Sequence, residues 1–208
     1  MHARISSPAD QSTGNTVLRV RQHKEWGQIL TGWETRNRYS IEDQEGQPVL
    51  FAGETGTGLG AVLLRHFLKN KRPFTIEIRD PEGGLVLTVK RPWRFWLSRA
   101  EVTDGTGQQI GAIQQRWAFF KRRFTVEDQL GRPAAEIEGP FFKPWTFEVH
   151  HRGGPIGWIR KRWSGLLKEA FTQADNFSLE LAPTIDDQLR PLCLAATFLV
   201  DFVYFERR

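Results

Sequence analysis

Four basic stretches, most of them interleaved with aromatic rings, are the residues best placed to do chemistry. They are KNKR at 69–72, KRPWRFW at 90–96, FFKRRF at 119–124 and IRKRW at 159–163. Their cations Lys90, Arg91, Arg94, Lys121, Arg122, Arg123, Arg160, Lys161 and Arg162 are candidate ligands for anionic lipid. Each such charge near an anionic membrane surface is worth about 1 kcal/mol, and neighbouring Trp and Phe rings can dip into the headgroup region. An ordinary solvated basic face is the plain alternative for any single cluster. Nucleic-acid bases would stack on the same residue types, but no recognition helix or RNA-binding signature accompanies them. Anionic phospholipid or a membrane surface is therefore the expected partner, with protein partners left open. Catalysis finds no support: there is no Gly-rich phosphate loop and no nucleophile motif. His150 and His151 are adjacent on a strand-like run, so they point to opposite faces and make a poor joint metal site.

These clusters need a scaffold, and the chain reads as a series of hairpins. RYSIEDQEGQPVLFAGE, FTIEIRDPEGGLVLTVKRP, AEVTDGTGQQIGAIQQRW, FTVEDQLGRPAAEIEGP and TFEVHHRGGPIGWIRKRW each alternate around a Gly-containing turn. FTIE at 74–77 returns as FTVE at 124–127, and IGAIQQRW at 110–117 returns as IGWIRKRW at 156–163. This is an internal repeat over a two-hairpin unit. With NFSLEL at 176–181 the hairpins predict eleven or twelve strands. A sheet of that size tends to curl or close, and closure removes its exposed edges. A barrel of about twelve strands is too wide for its own side chains to fill.

The filler is legible at the end of the chain. LRPLCLAATFLVDFVYFERR, 189–208, is apolar on nearly every face. A helix over 189–205 would be roughly 25 Å long at about 1.5 Å per residue, short of the roughly 30 Å of a bilayer core. Asp201 interrupts it, at an insertion cost of roughly 2.5–3.5 kcal/mol. The reading is mainly β: a closed barrel of roughly twelve strands around a central helix at about 187–206. Asp201 is expected to face a gap between strands, near a barrel end or beside a basic partner. Residues 1–18 are expected to form a disordered polar tail, and 19–208 the barrel domain. The tail lacks a signal-peptide core, and Cys193 is the single cysteine. Both point to an intracellular, reducing setting. The net charge of +5 suits anionic partners.

ILTGWETRNRYSIEDQEGQPVLFAGE, RWSGLLKEAFTQADNFSLEL and ATFLVDFVYFE resemble the phospholipid scramblase family. The resemblance runs from about Ile29 to Glu206. It implies the tubby C-terminal-like fold, a twelve-stranded barrel around a hydrophobic helix. It also implies engagement of phospholipids and their movement between leaflets, often under calcium control. The alternative is a soluble tubby-like barrel that binds lipid or protein at the membrane periphery and transports nothing. Family accounts of the last helix as a single membrane pass compete with the barrel, since one segment cannot fill both roles. The expected location is cytoplasmic, or peripheral at the inner face of the plasma membrane. The calcium loop that the resemblance implies falls on QADNFSLELAPT, Gln173 to Thr184. Such a loop wants oxygen ligands at its first, third, fifth, ninth and twelfth positions and glycine at the sixth. Only Asp175 stands in register, so no cofactor is expected and Asp175 is the one metal candidate. The cysteine-rich run and proline-rich arm of eukaryotic members are absent, so the chain is similar to a minimal, prokaryotic-type member.

Overall fold

A computed structural model describes residues 15–23, 33, 35, 37–55, 73–162 and 176–205, except the side chain of Arg162. Twelve antiparallel strands close into a barrel: β1 Thr16–His23, β2 Arg38–Glu42, β3 Pro48–Thr55, β4 Phe74–Arg79, β5 Leu85–Arg91, β6 Arg99–Asp104, β7 Gln109–Arg116, β8 Lys121–Asp128, β9 Pro133–Pro140, β10 Thr146–His151, β11 Gly154–Arg162 and β12 Asn176–Leu181. Each strand pairs with its neighbours in sequence, and β1 closes the ring by pairing with both β2 and β12. The hairpins and the final strand stand where the sequence pattern puts them. β1 is the strand that pattern missed. The barrel begins at Thr16 rather than at residue 19, because Thr16 pairs with Leu181 and carries the ladder to the top of β12. Residues 1–14 of the expected tail lie outside the described residues.

Helix α1, Leu189–Tyr204, runs through the barrel. It is two residues shorter at each end than the apolar run implied. Asp186 accepts the Gln188 N–H at 2.9 Å through its carboxylate, so the chain is still turning there. Pro191 falls in the first turn, where its missing N–H costs no helical bond. Fourteen of the helix residues, Leu189 and Pro191 through Val203, are buried. Inward side chains of the strands meet them, among them Ile41, Ile76, Val89, Ile113, Ile137, Ile159 and Leu179. Phe198 packs edge-on to Tyr39 at 5.3 Å, and Phe202 lies 4.2 Å from Phe74. Burying one such side chain is worth roughly 1.5–3 kcal/mol, so the contact between helix and strands is a large apolar contribution to the fold. Among the described residues no helix is long and apolar enough to cross a membrane.

The repeat has a packing reason. Gly111 on β7 and Gly157 on β11 hold matching places in the two IGxI copies. A Cβ there would stand 2.4 Å from the Glu127 carbonyl oxygen or 2.2 Å from that of Glu180. Neighbouring backbone and leucine side chains need that room, so both copies keep glycine at the same barrel level.

Antiparallel alternation sorts the connections between two ends. Those after β2, β4, β6, β8 and β10 are tight. Four of them share one design, in which Asp43, Asp80, Asp104 or Asp128 accepts through its carboxylate the N–H of the residue four further on. Gly46, Gly83, Gly107 and Gly131 take the positive φ that closes each turn, and a register shift follows in the strand. This is the turn end. The longer connections lie opposite, at the loop end. Helix α1 points from one to the other: Leu192 lies beside Gly111 near the turn end, and Tyr204 packs on Phe124 and Phe147 near the loop end. Asp201 is buried in the last turn of α1, toward the loop end.

Candidate functional site at the loop end

The predicted cations of β5, β8 and β11 all lie at the loop end, spaced around the rim three strands apart, and they divide into two kinds. Arg91 and Arg122 are buried. Arg91 donates to Ser98 Oγ at 2.8 Å and lies over the Phe74 ring. Arg122 donates to three carbonyls of the β9–β10 loop, those of Pro144 at 2.6 Å, Lys143 at 3.1 Å and Pro140 at 3.2 Å. Its guanidinium is sandwiched over Phe147 at 4.4 Å and Tyr204 at 5.0 Å. Desolvation lowers its pKa from the ordinary arginine value, with Tyr204 opposing that shift. The reason it is tolerated is local: loop carbonyls and ring faces replace water around the charge. Both cations are turned inward and bonded to loop residues.

Further along the sheet the cations stand in ion pairs. Lys121 contacts Glu138 at 2.6 Å. Arg123 pairs with Glu136 and Glu138, and the hydrogen bond it donates to Glu136 raises its pKa. Arg160 reaches Glu180 at 3.0 Å and lies over Trp158. Lys161 is half-buried, over the rings of Phe205 at 4.6 Å and Phe177 at 5.3 Å. Arg122 and Lys161 thus both stand at the C-terminus of α1, where the helix dipole favours positive charge. Lys90 and Arg94 are exposed. So are Lys143 and Arg116, which the sequence clusters did not include, though Arg116 is bonded to Glu127 at 3.0 Å. The Arg162 side chain, the KNKR stretch and Asp175 lie outside the described residues. Among the described residues no three His, Cys, Asp or Glu side chains gather as a metal site. His150 sits 3.1 Å from Glu148, while His151 Nδ1 lies 2.6 Å from the Ala134 carbonyl oxygen, so the two rings have separate partners.

The most exposed groups at this end are aromatic. The β5–β6 loop, 92–98, presents Trp93, Phe95 and Trp96; the β7–β8 loop, 117–120, presents Trp117, Phe119 and Phe120; the β9–β10 loop, 141–145, presents Phe141, Phe142 and Trp145. The first two loops were read as part of the basic clusters. The third, FFKPW, lies outside those clusters, although it repeats the adjacent rings and lysine of FFKRRF.

A closed antiparallel barrel of twelve strands threaded by its own C-terminal helix is the tubby C-terminal-like architecture. A crystal structure of a protein from Arabidopsis thaliana shares it, with a TM-score of 0.51 over 91% of this chain and 93% of that one, at 13% identity. Residues 9–207 match the family model described as Scramblase. Phospholipid scramblase 1 of Mus musculus is 33% identical over 204 residues, 91% of this chain and 61% of that protein's length. Phospholipid scramblase 2 of Homo sapiens is 31% identical over 92% of this chain and 68% of its own length. The chain belongs to the scramblase family.

Proposed function

We propose that this protein engages membranes containing anionic phospholipid through the loop end of its barrel, and that it acts there on phospholipid movement between leaflets, as its relatives' names indicate for them. One observation carries the reading: Lys90, Arg94 and Lys143 are exposed cations at a single pole, Lys90 and Arg94 at the end of β5 and in the β5–β6 loop, and Lys143 in the β9–β10 loop beyond the intervening β7–β8 loop. At about 1 kcal/mol each near an anionic surface, a handful of such charges gives reversible, salt-sensitive attachment. Peripheral placement at the inner, anionic face of the plasma membrane fits that strength.

The test uses the full chain with vesicles of phosphatidylcholine, with and without phosphatidylserine. Co-sedimentation reads attachment, and bleaching of a fluorescent phospholipid by an impermeant reductant reads transbilayer movement. Attachment that needs phosphatidylserine and weakens with salt, together with lipid exposure above the protein-free rate, supports the whole proposal. Attachment without lipid movement reduces it to a lipid-binding module. Equal attachment to both vesicles removes the anionic-lipid part.

A further inference from the structure

We infer that the loop end is a membrane-inserting footing: Trp96, Phe120 and Phe142 enter the headgroup region together, and the barrel stands end-on with α1 directed toward the bilayer. This rests on the membrane reading above and deepens it, since it names what holds the protein once charge has brought it in.

The three rings are 82%, 87% and 81% exposed. Soluble surfaces rarely expose so many large apolar side chains on one rim without using them. Each ring tops a different loop, and the loops join β5 to β6, β7 to β8 and β9 to β10, so they occupy one unbroken arc of the same rim. The arc is built rather than loose. Arg122 ties down the third loop through its carbonyls. Trp117 and Phe119 brace each other at 4.1 Å in the second. In the first, Ser98 N–H donates to Gln115 Oε1 at 3.0 Å and Arg91 holds its hydroxyl. Rings fixed in advance lose little entropy on insertion, and Trp and Phe are the side chains suited to the water–bilayer boundary.

Charge selects the occupant. Arg94 and Lys143 flank the rings at the loop end, whereas the turn end carries the row of turn aspartates. This polarity turns the aromatic arc toward an anionic bilayer. A second copy seated on the same arc would bring like charges together, which disfavours dimerisation through it.

The experiment adds lipids brominated on the acyl chain to the phosphatidylcholine and phosphatidylcholine–phosphatidylserine vesicles, and reads quenching of tryptophan emission. A triple variant, Trp96→Ser with Phe120→Ser and Phe142→Ser, is expected to bind about a hundredfold more weakly, roughly 2.7 kcal/mol at about 1.4 kcal/mol per tenfold. Trp96→Phe keeps the apolar tip and is expected to keep affinity while losing part of the quenching, which secures the test if the triple variant misfolds. Attachment without quenching, fully reversed by salt and unchanged in the triple variant, would overturn the insertion and leave charge-driven attachment standing. Equal, quenched binding to neutral vesicles would uphold the insertion and remove the anionic preference. No binding to either vesicle, with a doubled particle mass in light scattering that the triple variant abolishes, would overturn both and assign the arc to a second copy.

Discussion

The two ends of this barrel are made from the same strands and do opposite work. At the turn end the reversals are short, and in four of the five an Asp carboxylate and a Gly backbone satisfy local geometry, leaving polar groups in water. At the loop end reversals are longer and put tryptophan and phenylalanine into solvent. Turn aspartates make one pole acidic, while the exposed cations make the other basic. The difference shows how an up-and-down barrel separates foldability from contact. Alternation sends every second connection to one rim, so turns that set register never compete for space with the longer loops at the other. Helix α1 links the poles, presenting the negative end of its dipole to the cations Arg122 and Lys161.

The comparison breaks at its root if α1 is not the core. Phe198→Ala should cost about 3–5 kcal/mol in urea unfolding, the usual range for emptying a buried aromatic site, because Phe198 is 1% exposed and stacks on Tyr39. A loss below about 1 kcal/mol would mean that the helix leaves the barrel easily. A smaller effect sharpens the account of the loop end by separating its two kinds of cation. Arg122→Met removes the donor to three loop carbonyls and should cost about 2 kcal/mol, within the range for hydrogen bonds to a charged group. Arg94→Met should change stability by less than about 0.5 kcal/mol yet weaken attachment to phosphatidylserine vesicles by about 1 kcal/mol. If Arg122→Met leaves stability untouched while Arg94→Met lowers it, the division between holding and contacting cations is wrong.

That division is also where reading the sequence stopped. Hairpins were legible because Asp-x-x-Gly needs few neighbours to dictate a turn, and α1 was legible because an apolar run with no polar face must be enclosed. β1 was not, since Leu18-Arg19-Val20-Arg21 alternates over only four residues before Gln22 and His23, and its closing partner β12 stands far along the chain. Arg94 and Arg122 look alike in RPWRFW and FFKRRF. One ends in solvent because it stands in a loop, and the other packs on Phe147 because it stands in β8, where the strand fixes its neighbours. The acids facing Arg123 follow the same rule: it pairs across to Glu138, and Glu136 lies one outward step along β9. The FFKPW loop carried a readable signal, but its importance arises only when closure places it beside two similar loops.

The smallest effect belongs to the turn end and tests whether its aspartates are structural. The Asp128 carboxyl is held below its ordinary value of 3.8, first by the backbone N–H of Arg132, which desolvation opposes, and then by the Arg132 side chain and the Leu130 N–H. A carboxyl whose folded pKa is depressed adds stability that is complete above the unfolded value. That stability fades as pH falls through the folded value. Thermal midpoints measured from pH 7 down to about 2 should therefore fall on the acid side. Asp128→Asn keeps an acceptor for the turn but cannot titrate, so its acid limb should be shallower, and its attachment to vesicles should match that of the unaltered protein. An unchanged acid limb would show that Asp128 shares its protonation with the unfolded chain. A change in vesicle attachment would show that the two ends are not separate after all, because a carboxylate at one pole would then be shaping contact at the other.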